Sequence, residues 1–520
     1  HKMKADEAPK LTAGQQAVWN QIETLISRDA VSKPILMHGV TGSGKTELYM
    51  RAIDKTLKAG RQAIMLVPEI SLTPQTIDRF ISRFGAQVGV IHSKLSPGER
   101  YDTWRRAREA DFRIAIGPRS ALFTPFPNIG AIVLDEFHDE SYTQTEINPY
   151  YSSAEAAIVM GKLVQAMVLF GSATPDVSTY FRAQREGWHL FELPERIRGH
   201  GGGLTAGKAV TLSLPKVSVV DMREELRQGN TSIFSRELKC QISDVLAAKQ
   251  QAILLLNRRG SATWVFCRDC GLTLKCPRCD LALTWHRGTA KLLCHTCGYS
   301  RGMPKRCPQC GSIRIRQFGS GTEKIENELK ALFPQARLLR WDADTARAKG
   351  AEEIMLAHFR QHNADILIGT QMLAKGLDLP LVTLVGVVLA EVGLNFPDYR
   401  SAERTFQLLT QVAGRAGRSA LGGRVVLQTF QAEHYAILHA AAHDFKGFYK
   451  EEVEKRRALR YPPFVHMVRF EARALQNEEA QKTAQAVYQK LNRLVKASQD
   501  RSLELLPPLP PYFARRGGYY

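Results

Sequence analysis

Residues 34–46, with the sequence PILMHGVTGSGKT, constrain the fold of this chain more than any other stretch. An apolar run leads into a turn with three glycines, and the turn ends at the start of a helical pattern. The spacing G-x-x-x-x-G-K-[ST] is typical of loops whose backbone N–H groups surround a triphosphate, while the lysine reaches the outer phosphates and the hydroxyl binds Mg²⁺. A glycine-rich connection without a ligand is the alternative, but the order of strand, loop and helix favours an ATP-binding loop. The residues predicted to contact ATP are Gly39, Gly42, Gly44, Lys45 and Thr46.

A predicted helix at residues 16–26 precedes this loop, and Gln15 stands at its start. A glutamine placed one helix before a phosphate-binding loop is well positioned to contact the nucleotide base. The alternative is an ordinary surface residue at a helix start. We therefore treat Gln15 as a candidate nucleotide contact.

Apolar strands alternate with helical patterns after the loop, which favours a parallel, doubly wound α/β sheet with ligands at the carboxyl ends of its strands. The predicted strands lie near residues 63–67, 87–91, 113–116, 131–134 and 167–170. Asp135 and Glu136 follow one of them directly, where Asp135 can hold Mg²⁺ and Glu136 can polarise an attacking water. An acidic pair after a strand is otherwise a solvated turn, and the phosphate-binding loop upstream favours the catalytic interpretation.

The chain is strongly basic, with 71 Lys and Arg against 51 Asp and Glu and a net charge of +20. This charge favours a polyanionic partner, for which nucleic acid fits best, and solubility alone is the other explanation. The longest apolar run has about ten residues, fewer than the ~20 of a membrane-spanning helix. We therefore expect no membrane partner and a cytoplasmic, nucleoid-associated location. The polar start and the abrupt end also lead us to expect truncation at both ends.

A second α/β pattern begins at Val217, with strands predicted near 252–256, 336–341, 365–368 and 382–389. A helix from Ala402 then carries Arg415 and Arg418, which are three residues apart and share one helix face. Such arginines are usually solvated. In a protein with two lobes, however, they can reach a γ-phosphate bound by the other lobe.

Eight cysteines interrupt the second pattern as four C-x-x-C pairs, and this count and spacing predict two tetrahedral Cys₄ zinc sites. The pairs are Cys267/Cys270, Cys276/Cys279, Cys294/Cys297 and Cys307/Cys310. Glycine follows three of the pairs and Asp280 follows the other, and both residue types tolerate the left-handed backbone of a tight ligand turn. Disulfides are the alternative, but a cytoplasmic location argues against them. We treat the nearby His286 and His295 as bystanders, and Cys240, on an apolar helical pattern, as a buried thiol.

These patterns divide the chain into a first lobe at 11–192, a Gly-rich and basic linker at 193–216, a second lobe at 217–435 with a zinc module at 264–314, and a C-terminal domain at 436–520. In the last domain we predict a charged helix, a strand at 465–472 and a helix at 477–497. Its tail from residue 507 mixes proline, aromatic and basic residues. That mixture suits single-stranded nucleic acid or a protein contact.

Two α/β lobes of this kind are typical of superfamily 2 nucleic-acid motors. With the eight-cysteine insertion, the chain closely resembles the PriA family (primosomal protein N′) of replication-restart DNA helicases. The matching segments are 67–75, 117–123, 369–376, 403–418 and 461–464. The resemblance therefore covers nearly the whole chain.

The resemblance implies two RecA-like parallel-sheet helicase lobes, a two-zinc cysteine-rich insertion in the second lobe, and a small α+β C-terminal domain. It implies a 3′→5′ helicase that uses ATP with Mg²⁺, binds two Zn²⁺, and acts on forked and single-stranded DNA together with single-strand-binding protein and other primosome proteins. It also implies nested zinc sites, a pairing that spacing alone leaves open. One site would use Cys267, Cys270, Cys307 and Cys310, and the other Cys276, Cys279, Cys294 and Cys297.

The sequence departs from the family pattern in three places. Phe137 stands where the family usually has Glu, and we expect this change to alter the coupling of ATP turnover to DNA. Residues 148–153 keep aromatic side chains but lack expected His and Arg residues, so we expect weaker stimulation by DNA. The family's amino-terminal DNA-binding and winged-helix domains do not appear before Leu11, and we expect reduced specificity for fork ends.

The leading hypothesis is an ATP-dependent DNA helicase or translocase in which Lys45, Asp135, Glu136, Arg415 and Arg418 serve ATP hydrolysis. An RNA helicase, or a DNA translocase that does not unwind, would use the same motor motifs. The non-enzymatic alternative is a zinc-stabilised DNA-binding primosome scaffold with a weak or uncoupled ATPase. Its only support is Phe137.

Overall fold

The computed structural model describes residues 8–27, 33–68, 74–92, 95–145, 148–197, 211–256, 265–286, 291–317, 322–341, 351–370, 379, 381–416, 422–500, 502–512 and 518–520. The chain divides into two compact units. The first comprises residues 1–216, 372–385 and 410–424, and the second comprises residues 217–371, 386–409 and 425–520.

Strands and helices alternate through the first unit, as the sequence predicts. The strands are β1 (Ile35–Gly39), β2 (Gln62–Leu66), β3 (Val88–Val90), β4 (Ile114–Gly117), β5 (Ile129–Asp135), β6 (Thr143–Gln144), β7 (Tyr151–Ser152), β8 (Met167–Ser172), β9 (His189–Leu193), β10 (Arg196–Ile197) and β11 (Thr211–Leu212). The helices are α1 (Ala13–Ser27), α2 (Lys45–Lys58), α3 (Pro74–Phe84), α4 (Pro97–Arg108), α5 (Ser153–Val164) and α6 (Val177–Glu186).

Seven of these strands form one parallel sheet in the order β3-β4-β2-β5-β8-β1-β9. Every residue of β2, β4 and β8 is buried, which is the pattern of a parallel sheet covered on both faces. The predicted doubly wound sheet is confirmed. The register places His38 beside Ser172 and Asp135 beside Gly171, so the ends of β1, β5 and β8 meet at one edge of the sheet.

A second sheet has six strands in the order β12-β22-β21-β13-β20-β19. These strands are β12 (Lys216–Asp221), β13 (Gln251–Leu256), β19 (Leu338–Trp341), β20 (Ile366–Gly369), β21 (Val382–Val388) and β22 (Arg424–Thr429). β20 pairs in parallel with both β13 and β19. The helices of this α/β pattern are α7 (Met222–Arg227), α8 (Arg236–Ala247), α9 (Thr322–Leu332), α10 (Ala351–Arg360) and α11 (Ser401–Ala413).

Short antiparallel strands carry the cysteine-rich insertion. They are β14 (Val265–Cys267), β15 (Thr284–His286), β16 (Lys291–Leu293), β17 (Ser300–Arg301) and β18 (Ile315–Gln317). β14 pairs with β18, and β15, β16 and β17 form a three-stranded sheet. The first and last strands of the insertion therefore close it at its base.

The C-terminal segment differs from the prediction. Helices α12 (Tyr435–Ala441), α13 (Phe445–Ala458) and α14 (Asn477–Ser498) are present, but residues 465–472 form no strand. The segment contains residue types that are common in strands, such as Val465, Val468 and Phe470, yet Met467, Val468 and Phe470 are exposed. A strand needs a hydrogen-bonded neighbour. Ala474, which lies beyond the end of this segment, exchanges backbone hydrogen bonds with Tyr520.

The prediction that Cys240 is a buried thiol is wrong, because its side chain is exposed. Leu238, Ile242 and Val245 form the buried face of α8. Cys240 follows Leu238 by two positions and so lies on the opposite side of the helix. None of the described helices combines the length and the apolar character needed to span a bilayer.

Candidate nucleotide site and metal centres

The glycine-rich turn, residues 39–46, forms a tight loop between β1 and α2, which we call the phosphate-binding loop. Gly42 and Gly44 have φ angles of +83° and +80°, a left-handed conformation that glycine adopts readily. A Cβ atom at Gly44 would lie 2.2 Å from Gln15 Nε2. Only glycine therefore fits at this position.

Gln15 is buried, and it binds the backbone of this loop. Its Nε2 donates to Ser43 O at 2.9 Å, and its Oε1 accepts from the Thr12 N–H at 3.0 Å. The Gln15 backbone N–H in turn donates to Thr12 Oγ1 at 3.2 Å. The structure thus places Gln15 as a brace between the start of α1 and the loop.

Lys45 is the first residue of α2 and is only 7% exposed. Its Nζ donates to Gly39 O at 2.7 Å, which holds the ammonium group inside the loop. Ser43 Oγ is also buried and has no hydrogen-bond partner among the described residues. A buried cation, an unsatisfied hydroxyl and a glycine-lined turn together fit a bound phosphate chain.

Asp135 ends β5 beside this loop and is held by three hydrogen bonds. Tyr49 Oη and the Glu136 N–H both donate to Asp135 Oδ1 at 3.1 Å, and Tyr142 Oη donates to the Asp135 carbonyl at 2.8 Å. Burial and the neighbouring Glu136 charge raise the pKa of Asp135 to about 6, although Lys45 opposes the shift. Ionisation of this carboxyl group is unfavourable unless a positive charge lies beside it. A bound divalent cation would supply that charge, so Asp135 suits a metal site.

His138 links three polar groups in a network that the sequence reasoning missed. Its Nδ1 lies 2.7 Å from Ser172 Oγ and 3.6 Å from Glu136 Oε2. Its Nε2 lies 2.6 Å from Gln411 Nε2, near the end of α11. Ser172 Oγ also accepts the Thr174 N–H at 2.9 Å. No local signal marked Gln411, because its partner is 273 positions away.

The turn that follows α11, residues 414–416, lies against the phosphate-binding loop within the first unit. A Cβ atom at Gly414 would be 2.7 Å from Thr41 Cβ. Arg415 is half-buried in this turn and not on the helix as predicted, because α11 ends at Ala413. The structure therefore brings Arg415 to the loop, whereas Arg418 lies outside the described residues.

Arg196 lies in the segment predicted as a linker, where it begins β10 and is 2% exposed. Its guanidinium donates to the carbonyls of Ala416 at 3.2 Å and Gly414 at 3.3 Å. The rest of the glycine-rich segment, residues 198–210, lies outside the described residues.

Phe137, the departure from the family pattern, belongs to the core. It is 4% exposed, and its ring meets that of Phe170 edge to face at 5.4 Å. In the aromatic segment that follows, Tyr150 is 69% exposed and Tyr151 packs against Phe123. The acid and histidine on either side of Phe137 thus keep their places in the polar network.

The four C-x-x-C pairs fold into the same backbone turn. In each, the first cysteine N–H donates to the carbonyl five residues later, and the fourth following N–H donates back to the first cysteine carbonyl. The residue after each pair has a positive φ angle, at Gly271, Asp280, Gly298 and Gly311. The predicted left-handed positions are confirmed.

The sulfur atoms gather into two groups of four, and in each group they lie within 4.8 Å of one another. One group is Cys267, Cys270, Cys307 and Cys310, and the other is Cys276, Cys279, Cys294 and Cys297. This is the nested arrangement that the resemblance implies. Four thiolates at this separation form the donor set of a structural Zn²⁺ site, so two Zn²⁺ ions fit the chain.

The two histidines near these groups, His286 and His295, contact each other and the C-terminal tail and belong to neither cysteine group. His286 Nε2 and His295 Nε2 lie 3.1 Å apart, and His295 Nδ1 is 3.0 Å from Pro510 O. The ring of Tyr512 packs against those of His295 and Phe396. This part of the tail therefore contacts the zinc module, while its Arg515 and Arg516 lie outside the described residues.

Three family patterns match the chain. The DEAD/DEAH box helicase pattern matches residues 12–182, the PriA DNA helicase Cys-rich region pattern matches residues 276–301, and the helicase conserved C-terminal domain pattern matches residues 317–420. Together with the two sheets and the cysteine groups, these matches show two RecA-like helicase domains with a zinc-binding insertion.

Three relatives share the name replication restart protein PriA. The Bacillus subtilis protein is 45% identical over 512 residues, and the alignment covers 98% of this chain and 61% of the relative. The Synechocystis protein is 43% identical, with 99% and 60% covered. This chain therefore spans only part of those relatives. The Treponema pallidum protein is 37% identical, with 95% and 72% covered. At this identity and coverage, the chain belongs to the PriA family.

Proposed function

We propose that this protein is an ATP-dependent DNA helicase or translocase that acts on forked DNA during replication restart. The observation that carries the proposal is the convergence of Gln15, Lys45, Asp135 and the 414–416 turn on one phosphate-binding loop. The net charge of +20 supports a nucleic-acid partner. The name that the relatives carry supports the assignment to replication restart.

The proposed roles at the loop follow from charge and position. Gly39, Gly42 and Gly44 leave room for the phosphates, and Gln15 braces the loop near the base. Bound Mg²⁺–ATP supplies the phosphoryl group and the cation that neutralises its oxygens. Lys45 reaches the outer phosphates, and Thr46 and Asp135 hold the metal. Glu136 orients the attacking water and accepts its proton.

His138 positions the residues that act on ATP. Its contacts with Glu136 and Ser172 limit where the Glu136 carboxylate can lie. Gln411 binds the other ring nitrogen of His138. Movement of the Glu136 carboxylate would therefore shift His138 and, through it, Gln411 at the end of α11. Arg415 and Arg418, which follow α11 in the chain, sense the γ-phosphate. This arrangement favours coupling of hydrolysis to movement along DNA.

The zinc module and the partners complete the proposal. The two Cys₄ groups stabilise the zinc module, whose core they share. From the family resemblance we propose 3′→5′ movement on forked and single-stranded DNA, cooperation with single-strand-binding protein and other primosome proteins, and a cytoplasmic, nucleoid-associated location.

The direct test is strand separation on labelled forks. We expect ATP-dependent unwinding of a DNA fork that offers a 3′ single-stranded tail and little unwinding of its 5′-tailed counterpart. Equal unwinding of matched RNA duplexes would overturn the choice of DNA. Translocation without strand separation, measured by displacement of streptavidin from biotinylated single strands, would reduce the activity to that of a translocase.

The second candidate function is the zinc-stabilised scaffold with a weak or uncoupled ATPase. Phe137 was its support. Because Phe137 packs in the core and leaves Glu136 and His138 in contact, the geometry favours an active motor. The two candidates separate on stimulation of hydrolysis by DNA, since a scaffold binds forks without a rise in turnover.

A further inference from the structure

Arg196 is a buried charged residue that the proposed roles above do not use. It lies at the start of β10, whose backbone pairs with β11 in the register Arg196 to Leu212. A guanidinium removed from water needs hydrogen-bond acceptors for its N–H groups. The hydrogen-bond acceptors of the Arg196 guanidinium therefore show which segment of the chain this side chain holds in place.

Two of those acceptors are backbone carbonyls on either side of Arg415. Arg196 Nη2 donates to Gly414 O at 3.3 Å, and Nη1 donates to Ala416 O at 3.2 Å. Both segments belong to the first compact unit. One planar guanidinium therefore spans the turn that carries Arg415, with one N–H group on each side.

The same residue also packs on the phosphate-binding loop. A Cβ atom at Gly42 would lie 3.2 Å from Arg196 Cγ and 3.4 Å from Nε. The next residue, Ile197, donates its backbone N–H to Gly42 O at 3.0 Å, and its Cδ1 lies 2.7 Å from the position of a Cβ at Gly44. β10 is thus attached to the loop itself, through both its backbone and its side chains.

We propose that Arg196 is a positioning residue that fixes the 414–416 turn against the phosphate-binding loop, so that Arg415 stays beside the phosphates. The inference rests on the proposed ATP hydrolysis and assigns to it a residue outside the helicase motifs. A lysine cannot replace this contact, because a single ammonium group does not span two carbonyls in a fixed plane. The geometry accounts for a buried arginine beside a loop that already contains a buried lysine.

The kinetic test compares Arg196→Met, which keeps an unbranched stem against Gly42, with Arg196→Lys. We expect both variants to lower kcat for DNA-stimulated ATP hydrolysis by about 10–100-fold while KM for ATP changes less than about threefold, because the phosphate contacts remain. In the double variant with Arg415→Ala, kcat should equal that of Arg415→Ala alone, since residues that act as a unit are not additive. Multiplicative losses would overturn the proposal.

Hydrogen–deuterium exchange gives a readout that does not depend on turnover. The amides of Gly414, Arg415 and Ala416 donate to carbonyls in the last turn of α11, those of Thr410, Val412 and Ala413. We expect these amides to exchange at least tenfold faster in Arg196→Met without nucleotide. The matched control is Arg182→Met, which removes ion pairs to Glu155 and Glu186 in the same unit and should leave these amides unchanged.

The two experiments separate the inference from the function on which it rests. Unchanged exchange in both Arg196 variants would overturn the positioning role, whatever their activity. If exchange is faster in Arg196→Met but the wild-type protein hydrolyses no ATP with DNA present, the contact is upheld and the proposed function is rejected. Thermal denaturation and a zinc content of two per chain identify variants that have not misfolded.

Discussion

The nucleotide site and the zinc module are built in opposite ways. The nucleotide site joins residues that are far apart in the chain: the Gln411 to His138 contact spans 273 positions and the Arg196 to Ala416 bond spans 220. The sulfur contacts of the zinc module join residues that are nearer in the chain: Cys276 and Cys297 are 21 positions apart, and Cys267 and Cys310 are 43 apart. One region depends on the packed sheet, and the other depends on a repeated local turn and a metal.

This contrast implies different vulnerabilities. The phosphate-binding loop lies on a sheet whose central strands are fully buried, so side-chain changes there alter chemistry more than folding. The zinc module has short strands and a small core of cysteines and a few apolar residues. Small domains of this kind depend on their metal for stability.

The largest expected effect is on the nucleotide side. Lys45→Ala should lower ATP hydrolysis by about 10²–10³-fold, because it removes a charge that stabilises the phosphates in the transition state. Zinc content should stay at two per chain. Lys58→Ala, on the exposed end of the same helix in a pair with Asp54, is the matched control and should retain activity. A simultaneous loss of zinc in Lys45→Ala would contradict the independence of the two regions.

The corresponding change in the zinc module is Cys276→Ser. We expect metal analysis to fall from two Zn²⁺ to one and the module to become protease-sensitive, because a structural zinc site contributes directly to folding. Affinity for a fluorescent ATP analogue should change less than about threefold. Cys240→Ser is the control, since the Cys240 thiol is exposed on α8 and belongs to neither group. Loss of nucleotide binding together with zinc would show that the two regions depend on each other.

Asp135 gives a prediction of intermediate size that depends on pH. Its pKa in the folded state, about 6, lies above its ordinary value of 3.8. The folded state therefore binds this proton more tightly than the unfolded state does, and stability falls as pH rises from 3.8 through 6. At pH 7.5 the ionised carboxylate costs roughly 1–3 kcal/mol of stability without metal.

Asp135→Asn should accordingly raise the thermal midpoint at pH 7.5 in chelator and have little effect at pH 4. It should also abolish Mg²⁺-dependent hydrolysis. In the wild type, the apparent affinity for Mg²⁺ should weaken as pH falls below about 6, since the proton competes with the metal. The control is Asp54→Asn on the exposed face of α2. Equal stabilisation at both pH values would reject the raised pKa.

The smallest expected effect tests the backbone of the zinc turns. Gly311 has a φ angle of +73° with open space around a Cβ atom, and Gly302 has open space without a positive φ. Gly311→Ala should destabilise the module by about 1–2 kcal/mol, the cost of the left-handed conformation for a residue with a Cβ. Gly302→Ala should be near neutral. Denaturation monitored by zinc release distinguishes the two, and equal effects would show that the turn strain is unimportant.

The parts that could be predicted from the sequence are those with local signals. Strand ends, the phosphate-binding loop, the Asp135-Glu136 pair and the four zinc turns all follow from short-range patterns. Two features were not predicted. One is the pair of buried hydrogen bonds made by Arg196, which lies in the glycine-rich segment that we predicted as a linker. The other is the contact between His138 and Gln411. The partners of Arg196 and His138 are more than 200 positions away in the chain, so no short stretch of sequence can indicate these contacts.

The same reasoning explains the failed predictions. Residues 465–472 contain residue types that are common in strands, but pairing depends on a neighbouring strand and not on the segment itself. Cys240 was assigned by its apolar neighbours, although the helical period puts it on the other face. Both predictions were made from neighbouring residues in the sequence, whereas tertiary packing decides both outcomes.

The most direct test of the account is steady-state ATP hydrolysis by the wild-type chain, titrated with forked DNA and compared with Lys45→Ala. We expect hydrolysis to rise at least tenfold as forks are added, to depend on Mg²⁺, and to disappear in Lys45→Ala. If the wild type binds forks with both zinc ions in place but hydrolyses ATP no faster than Lys45→Ala, the residues around the phosphate-binding loop do not form a DNA-dependent motor.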